Sequence, residues 1–167
     1  IRERVLGAEH PDTLASRNNL ANAVVWFGEY QRSAALHQQT VEIFERVLGA
    51  EHPTTLGSRN NLANAVVGLG EYQQAAALHQ LTLGVRERVL GAEHPDTLAS
   101  RNNLANALYG LGEYQRSAAL HQQTLGIRER VLGAEHPTTL GSRNNLANAL
   151  AAMSSKQNRK RWWRRNR

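Results

Sequence analysis

The segment Gly7-Ala8-Glu9-His10-Pro11 occurs four times in this chain, and the copies begin 42 residues apart, at Gly7, Gly49, Gly91 and Gly133. Residues 7–48 and 91–132 are identical at 35 of 42 positions. A period of about 20–50 residues is typical of a solenoid or repeat array. The spacing predicts the end of an earlier helix at 1–6, full repeats at 7–48, 49–90 and 91–132, a partial repeat at 133–153 and a tail at 154–167. Residues 1–6 match 127–132, so the chain is expected to begin inside a longer array.

Each repeat has the pattern of two helices joined by short turns. Pro11 suits the first turn of a helix, because its missing N–H would have no partner there. Apolar residues then recur at helical spacing, at Leu14, Leu20, Ala21, Val24 and Phe27. Gly28 ends this helix A, and helix B follows from Tyr30 to Leu48. Because the turn is short, the two helices are predicted to be antiparallel neighbours, and seven helices are expected from four copies.

The repeat resembles the tetratricopeptide repeat in the run Asn19-Leu20-Ala21-Asn22-Ala23 and in Gly28-Glu29-Tyr30, which is followed by a small residue at Ser33. Its Leu-Gly-x-x-His-Pro loop and its length, eight residues above the usual 34, are similar to the repeats of kinesin light chains. The same form occurs in arrays attached to bacterial and fungal nucleotide-binding signalling proteins. The resemblance covers residues 1 to about 153 and implies an all-α, right-handed α-solenoid. Helix A lacks the Lys and Arg pattern of the family's carboxylate clamp, so that site is not expected here.

Asparagines recur in every helix A, at 18, 19 and 22 and at the positions 42, 84 and 126 residues further on. Asparagine is a mediocre helix former, and its amide can pair with the N–H and C=O of an extended peptide. In related superhelical repeats, the Asn before Leu-Ala lies along a bound peptide. The predicted peptide-binding residues, on the concave face, are Asn18, Asn19, Asn22, Asn60, Asn61, Asn64, Asn102, Asn103, Asn106 and Asn145, with Trp26 and Tyr109 as specificity residues. The alternatives are that some asparagines bond to neighbouring helices and that Trp26 only packs near the end of the array.

Metal and catalytic chemistry are not expected. The four loop histidines and the three in helix B each occur once per repeat, and stacked equivalents roughly 10 Å apart cannot share one ion. We expect the loop histidines to cap the following helix. A triad of Ser16, His10 and Asp12 is unconvincing because Thr54 and Thr138 stand where Asp12 would recur. No cofactor is predicted, and the chain is not expected to be an enzyme. The run Arg86-Glu87-Arg88 is interpreted as a solvated helix face.

The net charge of +6 comes from the C-terminal tail. Residues 1–155 contain 13 arginines and 14 acidic residues, a net charge of −1, whereas residues 156–167 contain seven basic residues. The tail could bind nucleic acid or an anionic membrane surface, through Lys156, Arg159, Lys160, Arg161, Trp162, Trp163, Arg164 and Arg165. The alternative is an accidental terminus whose charge only keeps the array soluble.

These patterns together favour a scaffold that binds an extended protein or peptide segment. Repeat arrays offer an extended surface rather than a deep catalytic cavity. Two alternatives remain open: binding through the basic tail, and end-to-end self-association of a structural array. The chain contains no cysteine and no run of 18 apolar residues, which fits a cytoplasmic protein.

Overall fold

The computed structural model describes residues 5–166, without the side chains of residues 160, 161, 164 and 165. Val5 and Leu6 are helical, and the other residues of the predicted 1–6 helix end lie outside the described part. Seven α-helices follow, and the described residues form no β-strand. Their bounds are α1 Pro11–Val25, α2 Tyr30–Leu48, α3 Pro53–Gly68, α4 Tyr72–Leu90, α5 Pro95–Gly110, α6 Tyr114–Leu132 and α7 Pro137–Arg165. The prediction of an all-α solenoid of helical hairpins is confirmed. None of the described helices is both long and apolar enough to cross a bilayer.

The loop histidines begin the A helices, α1, α3, α5 and α7, as predicted. His10 has extended backbone angles, and its Nδ1 accepts a hydrogen bond from the backbone N–H of Asp12 at 3.2 Å. The equivalent histidines make the same contact at 3.1–3.3 Å. This bond satisfies one of the N–H groups that the first turn leaves without a partner. A glycine in the left-handed region follows shortly after the end of the helix, as at Gly28, whose φ is 74°.

The chain forms two compact units, and the first contains α1 to α4 in residues 1–92. Within it α1 packs on α2, α2 on α3 and α3 on α4, so the two hairpins share a core. Alanines and a serine are fully buried where large side chains would separate the helices: Ala21, Ala63, Ala75 and Ser33. An ion pair between Glu45 and Arg59, with 2.5 Å between Oε1 and Nη2, joins α2 to the next repeat.

The second unit, residues 93–167, contains α5, α6 and α7. Here α6 packs against both α5 and α7, and Glu129 pairs with Arg143 at 2.9 Å in the same way as Glu45 with Arg59. Helix α7 continues past Met153, where the repeat pattern ends, to Arg165. The tail of the sequence is therefore helical over most of its length and extends the last helix A.

Two residues of the apolar pattern in the first helix A are exposed. Leu20 is 45% exposed in α1, whereas its equivalent Leu62 in α3 is buried beside the preceding hairpin. In the described chain no hairpin precedes α1, and this leaves Leu20 exposed. Phe27 is exposed as well, but so is its equivalent Leu69 in the second repeat. Arg86 is buried, so the interpretation of its segment as a solvated face is wrong at that residue. Arginine can bury its long stem among neighbouring helices while its guanidinium finds a partner.

Candidate functional site

The asparagines equivalent to positions 18 and 22 of the first repeat differ in exposure. Those equivalent to position 22 are exposed: Asn22, Asn64, Asn106 and Asn148. Those equivalent to position 18 are partly buried in the first three A helices: Asn18, Asn60 and Asn102. Residues four apart lie one turn apart on one face of a helix, so the partly buried amides lie nearer the neighbouring helix and the exposed ones face solvent.

Part of the asparagine set connects neighbouring A helices. In the first unit, the Ser58 hydroxyl on α3 donates to Oδ1 of Asn18 on α1 at 3.5 Å. In the second unit, Nδ2 of Asn145 on α7 donates to Oδ1 of Asn102 on α5 at 2.9 Å. The alternative that some of these asparagines bond to a neighbouring helix therefore holds for Asn18, Asn102 and Asn145. Asn60 and Asn103 also have interaction partners.

A groove in the first unit brings four predicted asparagines together. We name it the α1–α3 groove; it encloses about 470 Å³ and is lined by Glu9, Pro11, Leu14, Ala15, Asn18, Asn19, Phe44, Val47, Leu48, Thr54, Gly57, Ser58, Asn60 and Asn61. One side carries amides and hydroxyls from α1 and α3. The other side carries apolar side chains, mainly from the end of α2. A volume in this range fits a small ligand or a few residues of a peptide.

The apolar side of this groove was not predicted from the sequence. Phe44, Val47 and Leu48 lie at the end of helix B, and only their contact with two successive A helices makes them part of the groove. A sequence signal did exist at one of them, because Phe44 stands where the later repeats have Arg86 and Arg128.

A smaller cavity in the second unit joins three predicted residues to a histidine. It encloses about 270 Å³ and is lined by Asn106, Tyr109, His121, Asn145 and Asn148. The Tyr109 ring contacts Tyr114 edge to face, with 5.1 Å between the ring centroids. Burial and, secondarily, nearby Arg128 lower the pKa of His121. The imidazole is therefore neutral near pH 7, and the cavity presents uncharged polar groups.

Trp26 does not line either of these sites. It is 89% exposed just after α1, beside the similarly exposed Phe27. The matching residue of the second repeat is Gly68, and the Tyr30 ring packs directly against it. The variation at this position therefore concerns how one hairpin packs on another, and the specificity role of Trp26 stays a prediction.

The helical tail contacts the rest of its own unit through Lys156. The Lys156 ammonium donates to the backbone carbonyl of Gly112 at 2.8 Å and lies 5.4 Å from the centre of the Tyr114 ring. Trp162 and Trp163 are exposed and contact each other edge to face, 5.1 Å between centroids. Arg159 is exposed. The side chains of the other predicted tail residues, Lys160, Arg161, Arg164 and Arg165, lie outside the described part.

The described histidines do not form a metal site. Each loop histidine uses Nδ1 to cap a helix, and the helix B histidines His37, His79 and His121 are buried separately, one in each helix B. No group of three histidine, aspartate or glutamate side chains in the described chain could hold one ion.

Comparison with known proteins agrees with this repeat architecture. A family model described as tetratricopeptide repeat matches residues 13–54, 55–96 and 97–138. No curated protein matches the chain. A crystal structure of a kinesin light chain-like protein from Podosopora anserina, with nearly identical TPR-like repeats, is 34% identical with a TM-score of 0.81, covering 89% of this chain and 71% of that one. A second structure of that protein, carrying one substitution, has a TM-score of 0.82 at 34% identity and covers 98% and 77%.

A more distant structure shares the fold. BtubC (BKLC) from P. vanneervenii is 20% identical with a TM-score of 0.77, over 89% of this chain and 59% of that one. Three consecutive family matches at the 42-residue period take up most of the sequence. The chain therefore belongs to the tetratricopeptide repeat family, in its 42-residue, kinesin light chain-like form.

Proposed function

We propose that this chain is a scaffold that binds an extended segment of a partner protein along its A helices. Tetratricopeptide repeats form a non-enzymatic scaffold family that commonly mediates protein interaction. The observation that carries the proposal is that asparagines line a cavity in each unit, beside apolar or aromatic side chains. Amides in such places can pair with a peptide backbone in any sequence, while the neighbouring apolar wall selects side chains.

Two asparagines are the best candidates for ligand contact. Asn61 lines the α1–α3 groove and Asn106 the cavity of the second unit. Neither amide has a hydrogen-bond partner within the described part of the chain. An unpaired, accessible amide can form new bonds without giving up old ones, whereas Asn145 already donates one N–H group to Asn102 and is held by that bond.

The test is a screen of an array of 15-residue peptides with the whole chain and with Asn61→Ala/Asn106→Ala. Alanine favours helices more than asparagine does, so the double variant is expected to fold as well as the original. Gln80→Ala, on the exposed surface of α4, is the matched control. We expect the control to bind a set of peptides that the double variant loses. Equal binding by both variants would refute the role of the asparagines.

The tail is a second candidate site, for nucleic acid or an anionic membrane surface. The observation that favours it is a helix that ends with two exposed tryptophans beside basic residues. Its test uses a chain that ends at Ser155, with single-stranded DNA and vesicles containing phosphatidylserine as probes at two salt concentrations. Binding that disappears with the tail and with salt supports this site. Association of the shortened chain with itself, seen by sedimentation, would instead support a structural array.

A further inference from the structure

Phe44 distinguishes the first repeat from the two that follow. Residues 7–48 and 91–132 differ at seven positions, and Phe44 is one of them. Arginine stands at the matching places, as Arg86 and Arg128. The change replaces a long charged side chain with an uncharged ring at the end of helix B, where helix B meets two A helices.

In the second unit this arginine crosses between helices. Nη1 of Arg128 on α6 donates to Oγ of Ser142 on α7 at 2.6 Å and to the backbone carbonyl of Thr138 at 3.3 Å. In the first unit the equivalent residues are Ser58 and Thr54, which line the α1–α3 groove. Phe44 cannot donate to them, so the Ser58 hydroxyl and the Thr54 carbonyl are left without that bridge.

The asparagine side chains at one repeat position also differ between the two units in their hydrogen bonding. Asn145 is held by its hydrogen bond to Asn102 in the second unit. Its equivalent Asn61 has no such bond to any residue that the structure describes. The Asn61 amide of the first unit therefore keeps all its donors available, whereas Asn145 of the second unit donates one of its N–H groups to Asn102.

The α1–α3 groove is also electrically neutral. Glu9 is the one charged residue in its lining, and an ion pair with Arg46 compensates its charge. Leu14, Phe44, Val47 and Leu48 form the apolar side. Burying a charged side chain here would be costly because no opposite charge is free, whereas an apolar side chain would gain contact area.

We infer that the α1–α3 groove is the specificity pocket of the proposed peptide-binding surface. It takes one apolar side chain, of the size of leucine, methionine or phenylalanine, from an extended segment whose backbone pairs with Asn61. The matching place in the second unit is bridged by Arg128 and does not take such a side chain. This inference rests on the proposed function and adds the class of residue that is recognised.

The test uses capped amino acids, each of which offers one side chain and two backbone amides. N-acetyl-leucine methylamide is titrated into the whole ¹⁵N-labelled chain, with the alanine and aspartate analogues as comparison probes. The Asn61 side-chain signal is assigned by its absence from Asn61→Ala. We expect saturable shifts of this signal with the leucine probe, at an affinity roughly tenfold or more above that of the alanine and aspartate probes.

The decisive variant is Phe44→Arg, since arginine is the residue that the other two repeats carry there. Val41→Leu is the matched control, because it also introduces the third repeat's residue into α2 but lies outside the groove lining. We expect Phe44→Arg to weaken leucine-probe binding roughly tenfold or more and Val41→Leu to leave it unchanged. Equal affinity for the leucine and aspartate probes, or unchanged binding by Phe44→Arg, would overturn the assignment.

The 15-residue peptides from the array separate this inference from the proposed function. If Asn61→Ala/Asn106→Ala abolishes their binding and Phe44→Arg does not, the peptide-binding surface stands and the pocket assignment fails. If Phe44→Arg abolishes it and the asparagine substitutions do not, the pocket for an apolar side chain stands, but the pairing with Asn61 and the asparagine-based surface both fail.

Discussion

Substitution of Gly68 by alanine tests the packing of one hairpin on the next. Gly68 is the last residue of α3, and the Tyr30 ring at the start of α2 lies against it. A Cβ built on Gly68 would lie 2.6 Å from Cγ of Tyr30 and nearer still to two other ring atoms. Ordinary Cβ contacts begin at about 3.4 Å, so the ring would have to move by about 0.8 Å or more.

The movement is expensive because Cγ is the ring atom next to Cβ, and it can shift only if the χ1 angle or the backbone changes. Overpacking of this kind costs about 1–3 kcal/mol. The better helix propensity of alanine returns up to about 1 kcal/mol. We therefore expect Gly68→Ala to lower the free energy of unfolding by about 1–2 kcal/mol.

The matched control is Gly84→Ala in α4. Gly84 is also helical, but a Cβ there meets nothing within 4 Å. That variant should gain about 0.4–1 kcal/mol from reduced backbone freedom in the unfolded chain. The two alanine variants should thus differ by about 2 kcal/mol in free energy of unfolding, although each adds the same methyl group.

The assay is urea unfolding followed by circular dichroism, with amide hydrogen exchange near residues 65–72 to detect opening of one hairpin. Repeat proteins can unfold in parts, so the exchange data locate the loss. The pair Gly68→Ala/Tyr30→Leu completes a double-mutant cycle and should show a coupling of about 1 kcal/mol or more. Equal stability of Gly68→Ala and Gly84→Ala would refute the steric argument.

Three further predictions concern single side chains. Burial and, secondarily, nearby Arg86 lower the pKa of His79 from 6.5 to about 4. Between these pH values the unfolded chain binds more protons than the folded chain. The free energy of unfolding therefore decreases as the pH is lowered from 6.5 to 4, by on the order of 3 kcal/mol. Urea midpoints should therefore depend less on pH in His79→Asn, and an identical pH dependence would contradict this. His52→Ala should cost about 0.5–2 kcal/mol and His52→Asn much less, because asparagine can also cap the helix; equal unfolding midpoints would argue against a capping role. Lys156→Met should lower the free energy of unfolding, measured by a thermal melt, by less than about 1 kcal/mol, because the contact of Lys156 with Tyr114 is exposed. A loss above about 2 kcal/mol would contradict this weak contribution.

The helices were predictable because their signals are local. Pro11 and Gly28 mark the beginning and end of helix A through the missing N–H of proline and the left-handed conformation of glycine. The same signals recur at the 42-residue period and confirm one another. The continuation of α7 beyond Met153 was not predicted, because the residues that follow lack apolar periodicity. They are helical nevertheless, because adding residues to an existing helix avoids the cost of nucleating a new one.

The candidate site was predictable only as a set of residue types. Helical spacing indicates that Asn18 and Asn22 share a face, but it cannot decide which of them a neighbouring helix covers. The structure pairs Asn145 with Asn102 and leaves Asn61 without a partner in the described chain, although the two occupy the same repeat position. That difference depends on contacts between helices about 43 residues apart in sequence.

The sequence by itself determined the repeat, which is visible as a 42-residue period. It also determined the helical hairpin and the caps, because helix starts, helix ends and short turns depend on residues within a few positions of one another. Only the tertiary structure decided that Phe44 forms the apolar side of a groove while Arg128 bridges the equivalent place. A side chain at the end of helix B gains its role from the two A helices that it contacts. The physical reason is that burial, hydrogen bonding and charge compensation depend on distances in space. Repeats that are nearly identical in sequence can therefore differ in their contacts.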